Sequence, residues 1–228
     1  MTRTTTVANA MKKPASHAGV KAFTRIELVV TVLAVGLIIG LSVLWTRQTM
    51  RKSRNVTCLN NLKQVGIAFR LWGVDQSDVY PTHWPKDRGG TRELIGTGQV
   101  FVHFRALSNE LGSPKFLVCP ADKQKTVAPN FNEGFSDANA SYFLGLDALE
   151  TYPQMLLSGD RNLATYGQPV AKGLFVLTTN TPLNWTTNIH ISSGNICFAD
   201  GSVQFLNSEG LARANQKQEW ATTRLVLP

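Results

Sequence analysis

Two apolar patterns follow one another in the first third of the chain, and both are helical. From Leu28 to Trp45 there are 18 residues without a charge, relieved only by Thr31, Gly36, Gly40 and Ser42. That is close to the roughly 20 residues, at 1.5 Å each, that cross a ~30 Å hydrocarbon core. Beyond Trp45 the apolar residues thin out to a period of three or four: Val56, Leu59, Leu62, Val65, Phe69 and Trp72. Arg54, Asn60, Asn61, Lys63, Gln64 and Arg70 stand between them, so one face is apolar and the other wet. The pattern predicts one helix from Phe23 to about Gly73, ~75 Å long. Its first half suits a membrane or a helical bundle, and its second half suits packing on a domain. "SDVYP" then ends it, because Pro81 cannot continue a helix.

The remainder alternates turn formers with short apolar runs. Residues 81–140 are turn-rich, as in "PTHWPKDRGG" and "APNFNEGFSDANAS", with a short helix predicted in "VFVHFRALSNEL" ending at Leu111. "KFLVCPAD", "SYFLGLDAL", "QMLLSGDRN", "GLFVLTT" and "NICFADGSVQFL" read as strands. In the last of these Ile196 and Phe198 alternate, Asp200-Gly201 offers a two-residue turn, and Val203 and Phe205 resume the alternation, which predicts a hairpin. Ser208 is the predicted cap of a helix reaching about Trp220, with "RLVLP" after it. The expected class is therefore α+β: a long N-terminal helix on a C-terminal antiparallel sheet.

Charge changes this picture little. The net charge is +8, but residues 1–22 hold Arg3, Lys12, Lys13 and Lys21 and no acid, so without them the remaining 206 residues carry +4. Basic and aromatic residues do not interleave along one face, which argues against nucleic acid as a partner. A secretory signal peptide fits less well than an anchor. Its apolar region is about 7 to 15 residues and ends in a small-x-small site, whereas this run is longer and ends in "SVLWTRQTMRK". Arg47, Arg51, Lys52 and Arg54 follow the span as closely as the leader's lysines precede it, so the positive-inside count is nearly tied. The larger, cysteine-bearing C-terminal side is placed outside the cytoplasm. Glu27, at the start of the span, is the anomaly: a carboxylate deep in the bilayer costs on the order of 2.5 to 3.5 kcal/mol. It either has a partner or sits at headgroup level and reaches water.

The stretch "KAFTRIELVV" resembles the processing site of type IV prepilins and type II secretion pseudopilins. In that family a basic leader ends in a small residue, Phe follows, and Glu is fifth in the mature chain. The resemblance implies prepilin peptidase as a partner, a cut between Ala22 and Phe23, and N-methylation of Phe23. It also makes Glu27 the counter-charge for the terminal amine of a neighbouring subunit. Ala22 stands where Gly is usual, and Arg25 where Leu or Ile is usual. Gly36 and Gly40, spaced G-x-x-x-G, would let like subunits pack closely through this helix. "CLNNLKQVGIAF", with His190 separated by nine residues from Asp200-Gly201, is similar to a pilin-like family of planctomycetes and verrucomicrobia; "VCPAD", "SYFLGLDA" and "SGDRN" look like its verrucomicrobial branch. The implied organisation is a leader (1–22), a transmembrane helix (23–45), its amphipathic continuation (46–73) and a pilin-like β-rich domain (74–228). The implied setting is the bacterial inner membrane, single pass, with the C-terminal domain in the periplasm and a pilus or secretion machinery as partner. The alternative is an anchored periplasmic ligand-binding domain that does not polymerise.

Catalytic chemistry and cofactors find no support in the sequence. Calcium prefers crowded oxygen ligands, and neither "SGDRN" around Asp160 nor "FADGS" around Asp200 supplies them; Asp75 and Asp78 are no better. Cys197 lies between Ile196 and Phe198 and reads as a packed thiol, not a nucleophile paired with His190. Cys58 and Cys119 leave two readings open. They form a disulfide tying helix to sheet, worth about 4 kcal/mol in the chain-entropy model, or they are two buried thiols.

Overall fold

The computed structural model describes residues 24–228, which fall into two compact units divided after Arg47. Ala22 and Phe23 lie outside the described residues. Helix α1 spans Arg25–Val74. In the first unit its apolar side chains, from Ile26 through Ile38 to Val43, are all exposed. This is the one described helix long and apolar enough to cross a membrane.

In the second unit the helical period finds its core. Cys58, Leu62, Val65 and Phe69 are fully buried and Trp72 nearly so, whereas Val56 stays exposed. The helix stops at Val74, and the next turn places Ser77 and Asp78 at φ 57° and 61°, a left-handed pair no helix can absorb. Residues 81–140 hold short 3-10 turns, α2 (Val100–Arg105) and α3 (Ser108–Leu111). The predicted helix ending at Leu111 is thus two short pieces. "KFLVCPAD" is not a strand. Ser113 accepts from the Lys115 N–H and Pro114 takes the first helical position, so Pro114–Leu117 winds into a 3-10 turn.

Nine strands follow: β1 (Tyr142–Gly145), β2 (Leu156–Asp160), β3 (Leu163–Thr165), β4 (Gln168–Pro169), β5 (Gly173–Thr178), β6 (Leu183–Trp185), β7 (Ser193–Phe198), β8 (Val203–Asn207) and β9 (Thr222–Leu227), with α4 (Ser208–Gln216) between the last two. Six form an antiparallel sheet in the order β5-β9-β1-β2-β7-β8, and three form a small sheet, β4-β3-β6. The four central strands of the large sheet, β9, β1, β2 and β7, are buried on both faces. Tyr142, Leu144, Leu157, Cys197 and Val226 join the cluster built on α1. Their chain neighbours Phe143, Leu156, Ile196, Phe198, Leu225 and Leu227 join a second cluster with Trp185, Leu211 and Ala214. Strands buried on both faces read as continuous apolar runs, which is how they stand in the sequence.

Three details differ from the sequence expectation. The β7–β8 connection is a three-residue loop: Gly201 N–H donates to the Phe198 carbonyl at 2.9 Å, and only Gly201, at φ 80°, is left-handed. That is a turn followed by a glycine bulge, not a two-residue mirror-image turn. The cap of α4 is Asn207, whose side chain accepts from the Gly210 N–H at 2.8 Å, and the helix ends at Gln216. Ser208 Oγ instead accepts from the Trp185 N–H. Finally, the "RLVL" of "RLVLP" belongs to β9, inside the large sheet between β5 and β1.

Candidate functional site

Glu27 is held within its own chain. The Thr24 N–H and Oγ1 each donate to Glu27 Oε2 at 2.9 Å, and the Glu27 N–H reaches Thr24 Oγ1 at 3.3 Å. This is a capping box, which ties up two of the free donors at the start of α1 and puts a negative charge where the helix dipole favours it. The signal was in the sequence, as T-x-x-E before an apolar run, and weighing Glu27 only against the membrane misses it. Further along, a methyl group added at Gly36 or Gly40 would meet nothing within 4 Å. Among the described residues, this small-residue face is unoccupied.

The residues of the C-terminal motif come from two ends of β7 and do not meet. At one end, Cys58 of α1 and Cys119 are joined in a disulfide, with Cα atoms 4.9 Å apart and a sequence separation of 61. His190 lies against it, Nε2 at 3.4 Å from Cys119 Sγ. The same nitrogen is 3.4 Å from Asp160 Oδ2 and 3.4 Å from Asn195 Nδ2. Asn195 ties the group together, donating to Asp160 Oδ2 from its backbone at 2.6 Å and its side chain at 2.8 Å, and to Asn55 Oδ1 of α1 at 3.3 Å.

Electrostatics keep this cluster neutral. Burial lowers the His190 imidazole to about 4. Burial also raises the Asp160 carboxyl to about 7, against the two Asn195 hydrogen bonds that favour the carboxylate. Near pH 6 the two groups face each other as neutral acid and neutral ring, so their proximity is a polar contact, not an ion pair. Asp122 is different. It accepts two bonds from Arg161, at 2.7 and 2.9 Å, and is held below the usual carboxylate range although burial works the other way.

At the other end of β7, Asp200 Oδ1 accepts from the Ser202 N–H at 2.8 Å and shapes the turn. Gly201 packs against α1. A methyl group on Gly66 would lie 3.3 Å from Gly201 Cα and 2.7 Å from Cys197 Sγ. The Tyr80 hydroxyl donates to the Ala199 carbonyl beside this turn. His190 and Asp200-Gly201 thus bracket the strand that docks on α1, one end fixed through the disulfide and Asn55, the other through a glycine-on-glycine contact.

The chemistry open to these groups is limited. Cys58, Cys119 and His190 bring their ligand atoms within 4.8 Å of one another, but zinc takes thiolates and these sulfurs are bonded to each other. Cys197 is buried beside Gly66, and burial pushes its thiol well above the ordinary value, with the Asp200 charge adding to the shift. A thiol so held is not a nucleophile at neutral pH. No family model, curated protein or solved structure matches this chain.

Proposed function

We propose that the chain is a prepilin-like structural subunit. It is cut between Ala22 and Phe23 by prepilin peptidase, N-methylated on Phe23, and assembled with like subunits through its N-terminal helix into a pilus or secretion pseudopilus. The observation that carries this is the first half of α1: apolar on every side, its described apolar side chains exposed, and opening on a single carboxylate within K-A-F-T-R-I-E. Such a surface cannot stand in water and calls for lipid or other helices. The disulfide supports a periplasmic C-terminal domain, since such bonds persist in oxidising compartments. No catalytic role or cofactor is part of this reading.

The capping box favours a second reading, in which Glu27 serves only its own helix and the protein is an anchored periplasmic domain that does not polymerise. Two substitutions separate them. Glu27→Gln keeps an oxygen to accept from Thr24 but removes the charge, and Glu27→Ala removes both. If Glu27 pairs with a neighbour's amine, both variants lose crosslinkable oligomers in membranes. Loss in Ala alone reduces Glu27 to a cap, and loss in neither supports the anchor.

A further inference from the structure

A pocket of about 290 Å³ opens in the second unit, over His190. Its walls include Arg51 and Arg54 of α1, Lys123 from the loop after the disulfide, and Thr187 and Asn188. All of these wall residues are exposed. Arg51, Arg54 and Lys123 make no ion pair with any described residue. The acids close to the pocket are already committed: Asp122 to Arg161, and Asp160 fully buried with Asn195. Three cations therefore share one small concavity without a counter-charge, and an anion is what would relieve their repulsion.

The loop forming the pocket's other side carries a second sign. Ile191 and Ser192 have φ values of 50° and 56°, and Ile191 is 58% exposed. A β-branched residue in the left-handed region is a backbone outlier, and such strain persists mainly where the surrounding structure enforces it. It leaves an apolar side chain in solvent beside the cations.

We propose that this pocket binds a phosphate group, presented by the headgroup of an anionic phospholipid. Two guanidinium forks and an ammonium match a phosphate's oxygens, with Thr187 and Asn188 as further donors. The lipid source follows from sequence position: Arg51 and Arg54 come six and nine residues after Trp45, the end of the apolar run. A basic cluster close to a span, with an exposed isoleucine beside it, is drawn to anionic headgroups by charge and to the interface by apolar burial. The inference rests on membrane anchoring and not on polymerisation.

The test uses the full chain in detergent micelles, with phosphatidylglycerol or phosphatidylcholine added and retained lipid counted by native mass spectrometry. Inorganic phosphate is titrated separately by ³¹P NMR. Wild type should retain phosphatidylglycerol at least tenfold over phosphatidylcholine. Arg51→Gln/Arg54→Gln/Lys123→Gln should bring that ratio within twofold, and Arg51→Lys/Arg54→Lys, which keeps charge but loses the forks, should fall between. Equal retention of both lipids, with inorganic phosphate bound and lost in the triple variant, overturns the lipid as source. A preference that survives the triple variant overturns the pocket, as does a triple variant that loses only self-association, which would assign the cations to a neighbouring subunit's acids. Failure here leaves the assembly reading untouched, because Glu27 is unchanged in every variant.

Discussion

Gly66 of the long helix packs closely against the hairpin, and substituting it tests that contact directly. A methyl group there would sit 2.7 Å from Cys197 Sγ and 3.3 Å from the Gly201 Cα and carbonyl oxygen. Cys197 is fully buried, so its sulfur could give way only by moving within the core. Overpacking of this kind costs about 1–3 kcal/mol, and the helix-propensity gain of Ala over Gly returns about 1 kcal/mol. Gly66→Ala should therefore destabilise by up to about 2 kcal/mol. For a unit of this size that lowers the melting temperature by up to roughly 8 °C. Cys197→Ala removes the closest atom, so Gly66→Ala in that background should cost at least ~1 kcal/mol less. Thermal unfolding of the four proteins, followed by near-ultraviolet circular dichroism in detergent, gives the coupling. Additivity within about 0.5 kcal/mol, the value expected of independent sites, would refute the proposed contact.

Two further predictions concern the other end of β7. Replacing Cys58 and Cys119 together with Ala opens a loop spanning 61 positions and should cost about 4 kcal/mol of stability, read as a lower denaturant midpoint; an unchanged midpoint would show that the bond constrains nothing. Asp160 sets a pH dependence of defined sign. Its carboxyl titrates near 7 when folded against 3.8 otherwise, so between those values the folded protein holds a proton that the unfolded chain has lost. The stability owed to this group falls as pH rises through that window, by up to about 1.4 kcal/mol per unit. Asp160→Asn should therefore gain on wild type steadily from pH 4 to 7 and level off above; a constant difference across that range would contradict the assignment.

What the sequence disclosed depended on how each element is buried. The amphipathic half of α1 was legible because only one face packs, leaving Leu62, Val65 and Phe69 in period against Lys63, Gln64 and Arg70. The β7–β8 hairpin was legible from Asp200-Gly201, although its turn type was not, since a glycine bulge and a mirror-image turn both place Gly there. β9 escaped notice because Leu225, Val226 and Leu227 are buried on both faces and show no alternation. β3, β4 and β6 are two or three residues long, too short for any period to register. At the site, the spacing of His190 and Asp200-Gly201 was visible, but not that the two ends serve different contacts on α1. Asp160 and Asn195, which hold His190 in place, carry no local signal, because their roles arise only when β2 and β7 pair.

The central claim is that this chain is a processed prepilin-like subunit, and mass spectrometry of its N-terminus, from cells that carry a prepilin peptidase, tests it most directly. The account predicts a mature chain beginning at Phe23, one methyl group heavier than the unmodified residue. A membrane-retained chain that still begins at Met1 would contradict it.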